Sequence, residues 1–200
     1  MQFQKNPEES IADTALISRL IYGWGNEGYS ALEEYLLGCL QHVSECSGPI
    51  LECGSGLSTI LVGIVAQKKR ATVWSLEHDS EWGKRVSKYL KKYRIDSVKL
   101  SVLPLKEYEN FAWYAPPIDE MPKTFSLVLC DGPPGKTRGG RYGLLPIMKK
   151  RFHAGCIILL DDAAREEEQA IAARWANEFH SSVERFGSQK PYFRIILPEN

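Results

Sequence analysis

Ile50-Leu51-Glu52-Cys53-Gly54-Ser55-Gly56-Leu57-Ser58-Thr59 reads as a short buried strand that breaks into a glycine turn and opens a helix. Gly54 and Gly56 let the backbone turn sharply and lie close to a ligand, where a Cβ would obstruct it. Glu52 stands near the strand's end, and a second apolar strand ends at Leu76-Glu77 about one crossover later. A turn of this kind, between a first strand's carboxyl end and a helix, is where nucleotide-like cofactors bind in α/β proteins.

Outward from this stretch, strand and helix patterns alternate. Strands are expected over residues 49–53, 72–77, 98–103, 125–130 and 156–160, and helices over 57–68, 80–93, 141–152 and 163–180. Two closing strands, 183–186 and 192–197, lie too close together for a helix between them and should pair antiparallel. Ahead of the first strand, residues 30–43 predict a helix with Leu32, Tyr35, Leu36, Cys39, Leu40 and Val43 in one apolar stripe. Ser30 and Glu33 suit a capping box at its start. A weaker helix is expected over 11–21, joined by 22–29, and residues 104–123 show no regular pattern. Strands flanked by helices argue an α/β fold with a mostly parallel sheet. Residues 1–48 would form a helical cap and 49–200 one compact unit.

The 200 residues suit one domain, and 44% hydrophobic residues are ordinary for a globular protein. Lys plus Arg equals Asp plus Glu, so the net charge is zero and nothing draws the chain toward nucleic acid or a membrane. The polar, acidic start is unlike a secretory leader. Five cysteines, odd in number and without a C-x-x-C pair, fit a reducing, cytoplasmic setting. A dinucleotide reading wants a third glycine where Thr59 stands, and Glu52 would face a pyrophosphate. A phosphate loop at Gly135-Lys136-Thr137 fails because the glycine expected five residues before Gly135 is Cys130.

With Glu52 before Gly54-Ser55-Gly56, Glu77 in Ser75-Leu76-Glu77-His78-Asp79, and Asp131 in Leu129-Cys130-Asp131-Gly132-Pro133-Pro134, the chain resembles the class I S-adenosylmethionine-dependent methyltransferases. The resemblance runs from Pro49 to the C-terminus. It implies a Rossmann-like, seven-stranded sheet with a terminal antiparallel hairpin. It also implies S-adenosylmethionine as cofactor and methyl transfer, chiefly to an oxygen of a small molecule or sugar. Glu77 would accept the two ribose hydroxyls, and Glu52 would hold the cofactor's ammonium, directly or through water. Gly54, Ser55 and Gly56 would run beneath the ribose and methionine, Ser58 and Thr59 would offer hydroxyls, His78 would flank the adenine, and Asp131 would also face the cofactor. A non-enzymatic module that keeps the fold and the cofactor is the alternative. Homo-oligomerisation stays open.

Asp131, Asp161 and Asp162 end two strands expected to be neighbours, so their carboxylates should converge. Three carboxylates repel unless one is protonated or a cation joins them, and hard oxygen ligands suit Mg²⁺ or Ca²⁺. The set is similar to that of the catechol-type, metal-dependent O-methyltransferases, with Asp162 standing where an Asn is expected. Equally, Asp162 could cap the next helix and Asp161 could bond nearby backbone N–H groups. Asp131 is the candidate base for an acceptor hydroxyl, alone or through a metal, with Lys136 and then His153 behind it. The loop 136–141 either grips an acidic or polyhydroxylated substrate or is a solvated turn. The lysine-rich face of 84–92 reads as solvated surface.

Overall fold

The computed structural model of the chain describes residues 2–25 and 31–199. Four helices come first: α1 (Gln2–Lys5), α2 (Pro7–Ala12), α3 (Thr14–Trp24) and α4 (Glu33–Glu45). Asp13 divides the helix expected over 11–21, because its backbone closes α2 while its carboxylate accepts from Leu16 N and caps α3. Helix α4 starts later than expected. Ser30 lies outside the described residues, and the N-cap position belongs to Leu32, which is exposed and makes no side-chain cap. The rest of the stripe, Tyr35, Leu36, Cys39, Leu40 and Val43, is buried.

The remaining elements are β1 (Ile50–Cys53), α5 (Leu57–Lys69), β2 (Val73–Glu77), α6 (Ser80–Lys92), β3 (Val98–Val102), β4 (Leu105–Glu107), β5 (Ala112–Tyr114), β6 (Phe125–Cys130), α7 (Leu144–Met148), β7 (Phe152–Leu160), α8 (Glu166–Phe179), β8 (Ser182–Phe186) and β9 (Tyr192–Ile196). Seven strands form one sheet in the order β3-β2-β1-β6-β7-β9-β8. The pairs from β3 to β7 are parallel, and β9 runs antiparallel to both β7 and β8. This is the expected mostly parallel sheet with its closing hairpin.

Side-chain alternation builds two cores. Ile50, Val73, Leu127, Leu129 and Leu159 point to one face and pack with α3 to α6. Leu51, Cys53, Leu76, Val128, Cys130 and Leu160 point to the other, under α7, α8 and the β4–β5 pair. A one-residue slip of any central strand would exchange these sets. Truncating a fully buried member such as Leu129 to Ala would cost about 2–5 kcal/mol.

Two expectations need correction. Residues 104–123 hold the antiparallel β4–β5 pair and a 3₁₀ turn (Ile118–Glu120); strands this short carry no period that a sequence scan resolves. The helix expected over 141–152 shrinks to α7, since turns with positive φ at Gly139 and Gly140 precede it and β7 already begins at Phe152. Among the described residues no helix is long and apolar enough to cross a membrane.

Candidate functional site

The turn after β1 and the turn after β6 are pressed together. Gly54 N donates to Leu76 O at 2.9 Å, Asp131 N donates to Cys53 O at 2.9 Å, and Gly54 takes φ 86°. A Cβ on Gly54 would stand 3.1 Å from Gly132 N, so the close approach and the left-handed φ both call for glycine there. Above these turns, at the carboxyl ends of β1, β2 and β6, lies a cavity of about 410 Å³, within the range of small-molecule sites. Gly54, Ser55, Glu77, His78 and Trp82 line one side of it, and Asp131, Lys136, Arg141, Asp162 and Lys190 line the other. A larger groove of about 590 Å³ runs along α6 between Lys84, Lys88, Lys91 and Val102. It is open, and among the described residues no acid–base pair converges on it, so the strand-end cavity is the candidate site.

Glu52 does not reach this cavity. It is buried at 2% exposure, and its two carboxylate oxygens accept from Ser58 Oγ at 2.8 Å, Thr59 Oγ1 at 2.7 Å and Ser75 Oγ at 2.6 Å. Thr59 Oγ1 in turn accepts from Gly56 N at 2.8 Å. The expected ammonium holder is instead a buried knot that ties the glycine turn to α5 and β2. Gly56, Ser58 and Thr59 belong to that knot and are absent from the cavity wall. Burial pushes the Glu52 carboxyl up to about 7, against the pull of its three hydroxyl donors.

Glu77 lies where the expectation put it, at the end of β2 on the cavity wall. Its Oε2 accepts from Ser55 N at 3.1 Å and Ser55 Oγ at 2.6 Å. Its Oε1 accepts from His78 N at 2.7 Å and Asp79 N at 2.8 Å, with His78 Nδ1 at 3.1 Å. Burial acts to raise this carboxyl, but the His78, Ser55 and Asp79 donors outweigh it and hold it below the usual value. The same contact with Glu77 raises His78 against the opposing effect of burial. Two of the five donors, Ser55 Oγ and the His78 ring, are side chains that can rotate away in favour of a ligand's hydroxyls.

Asp131, Asp161 and Asp162 do converge, with one oxygen of each within 4.8 Å of the others. Between them lies the side chain of Arg141, only 3% exposed, whose Nη2 is 3.0 Å from Asp131 Oδ1 and 2.7 Å from Asp162 Oδ2. Arg141 also donates to Asp161 O at 2.8 Å and Asp131 O at 3.0 Å. Arg165 Nη1 lies 2.9 Å from Asp162 Oδ2, and Lys190 Nζ lies 3.7–3.8 Å from Asp162 and Asp161. Arg141 is thus not a solvated turn residue but a buried cation on the cavity wall. Burial, then the neighbouring Asp161, raises Asp131 well above the carboxylate range, with Arg141 opposing. Burial, then Asp162, raises Asp161. Asp162 does not cap α8: it adopts φ 63°, and Arg165 takes the N-cap position. Asp161 Oδ1 accepts from Asp162 N at 2.7 Å, the backbone bond expected of it.

A guanidinium nitrogen stands between one oxygen of Asp131 and one of Asp162, so an ion held by those two oxygens would have to displace it, while Asp161 Oδ2 is buried without a hydrogen-bond partner among the described residues. A nucleoside cofactor does fit the rest. Tyr114 Oη is fully buried on the cavity wall and has no hydrogen-bond partner among the described residues, as expected of a group that meets a polar ligand. Trp82 Nε1 donates to Ser55 O at 2.7 Å and steadies the turn.

Sequence reasoning missed Trp82 and Lys190 as wall residues; Arg141 and Tyr114, expected only as members of loops near the pocket, stand on its wall. Lys190 depends on α4: the carboxylate of Glu34 accepts N–H bonds from Ser188, Gln189 and Lys190 at 2.8–3.1 Å, fixing the turn between β8 and β9. His153, at the opposite end of β7, is exposed and turns to its neighbour's carbonyl, away from the cavity. Of residues 22–29, Tyr22 is 82% exposed and 26–30 lie outside the described residues. The Arg85 guanidinium lies 4.8 Å from the ring centroids of both Trp24 and Trp82, which themselves meet edge to face.

The fold is that of the class I methyltransferases. A precorrin-6Y C5,15-methyltransferase of Geobacter metallireducens superposes with a TM-score of 0.62 at 15% identity, over 87% of this chain and 92% of that one. The SAH-bound methyltransferase PaMTH1 of Podospora anserina gives 0.63 at 16%, over 94% and 88%. An O-methyltransferase of Bacillus cereus in complex with SAH gives 0.59 at 14%, over 95% and 91%. No family model matches the chain, and no curated protein matches it.

Proposed function

We propose that the chain is an S-adenosylmethionine-dependent methyltransferase acting on an oxygen of a small molecule or sugar. The observation that carries this reading is the joining of a glycine turn, the strand-end carboxylate Glu77 and the strand-end carboxylate Asp131 around one cavity. The neighbours seen with SAH bound support it.

When bound, the cofactor supplies a methyl group made reactive by its sulfonium, so the chain's task is mainly to align donor and acceptor. Gly54 and Ser55 give the nucleoside a backbone shelf, and Glu77 accepts its hydroxyls as Ser55 Oγ and His78 yield. Tyr114 Oη offers a donor at the cavity floor. Across the cavity, Asp131 keeps a side chain 27% exposed while Arg141 fixes its orientation. Its place on the cavity wall suits it to take the proton from an acceptor hydroxyl at its carboxylate. Lys136, also on the wall, would stabilise the negative charge that develops on the acceptor oxygen.

Calorimetric titration with S-adenosylhomocysteine tests the cofactor, and product analysis with a panel of hydroxyl acceptors tests the transfer. Binding without any turnover would favour the non-catalytic module. No binding at several hundred micromolar would remove the proposal.

A further inference from the structure

We infer that Arg141 is the resident cation of this site, standing where a divalent ion would sit, so that the cleft works without a metal. The catalytic consequence rests on the methyl-transfer reading, but the placement of the cation does not.

A Mg²⁺ or Ca²⁺ held by Asp131, Asp161 and Asp162 would need their oxygens about 2.0–2.6 Å from a common point. A cation already joins two of the three: Nη2 of Arg141 bridges Asp131 Oδ1 and Asp162 Oδ2 at 3.0 and 2.7 Å. The guanidinium is also tied to the carbonyls of Asp131 and Asp161, the residues that follow β6 and β7. It therefore holds two neighbouring strand ends as well as two carboxylates, using the planar fork that an ammonium lacks. Glu168 Oε1, 3.7 Å from Nη1, adds an acid behind it. Arg165 and Lys190 bring two more cations to Asp161 and Asp162, so three cations offset much of the charge of the four acids that would draw a dication. Arg141 orients Asp131 and stabilises its ionised form, acting on the reaction through Asp131 as a positioning residue. It cannot coordinate a substrate oxygen as a metal ion would, and a chelator cannot remove it.

Ion binding, measured without cofactor or acceptor, separates this inference from the proposed activity. Mn²⁺ titration followed by electron paramagnetic resonance should show no bound ion in the wild-type protein up to about 1 mM, the weak end of natural Ca²⁺ sites. Arg141→Met removes the charge and keeps most of the length, and it should bind one Mn²⁺ at least tenfold more tightly. One equivalent bound by the wild type below about 100 μM, and lost in Asp131→Asn, would overturn the inference. So would a folded Arg141→Met with no gain. If that variant does not fold, the wild-type titration decides alone.

Discussion

Gly54 and Gly132 meet backbone to backbone: a Cβ on Gly132 would lie 2.9 Å from Gly54 Cα and 3.0 Å from Gly54 N. The turns that end β1 and β6 are thereby locked into one floor beneath the cavity. Gly132→Ala should destabilise the protein by about 1–3 kcal/mol, the scale of overpacking, and should weaken S-adenosylhomocysteine binding. Gly56→Ala is the control, since nothing lies within 4 Å of its would-be Cβ. Urea unfolding of both variants checks the contrast; equal losses would refute the locked floor.

Glu77→Ala is predicted to weaken S-adenosylhomocysteine by about 1–3 kcal/mol, the scale of a lost charged hydrogen bond. Its depressed folded pKa also contributes stability that is present above 4.5 and lost as pH falls through the folded value. Acid unfolding of the variant should accordingly show a shallower pH dependence below 4.5 than the wild type.

Glu52 acts with the opposite sign. A carboxyl raised from 4.5 to about 7 binds its proton more tightly when folded, so stability is greatest at acid pH and falls as pH rises from 4.5 to 7. The whole change is on the order of 3 kcal/mol. Glu52→Gln should remove this slope while leaving cofactor affinity within a few-fold, because the side chain does not line the cavity. Denaturant melts at pH 5 and 7.5 measure it, and a parallel slope in both proteins would count against the sealed knot.

Asp131→Asn should leave S-adenosylhomocysteine binding nearly intact and lower turnover by about 10²–10⁴-fold, the contribution of a positioned general base. Loss of affinity with no change in kcat would instead make Asp131 a binding residue.

Much of this was legible because strand ends can be counted. Apolar runs such as Phe125–Cys130 have clear limits, so the residues at or just beyond their ends, Gly54, Glu77 and Asp131, fall at one sheet edge on the sequence alone. Orientation was not legible. Glu52 and Glu77 are both strand-end acids, and only the hydroxyls of Ser58, Thr59 and Ser75, drawn from α5 and β2, decide that the first is sealed. Arg141 was read as a loop cation, since a guanidinium shows its burial only when the carboxylates around it, up to 27 residues away, are assembled. Tyr114 was hidden in a strand of three residues.

Glu34 clasps the turn that carries Lys190, so the amino-terminal helices and the final hairpin are fastened across the body of the molecule. A chain trimmed to begin at residue 49 would lose Tyr35, Leu36 and Leu40 from its interior. It would also unfasten the outer rim of the cleft from a point far away in sequence. The leading helices thus serve as a brace for the pocket as well as a cover for the sheet, and limited proteolysis ahead of β1 should be felt at Lys190.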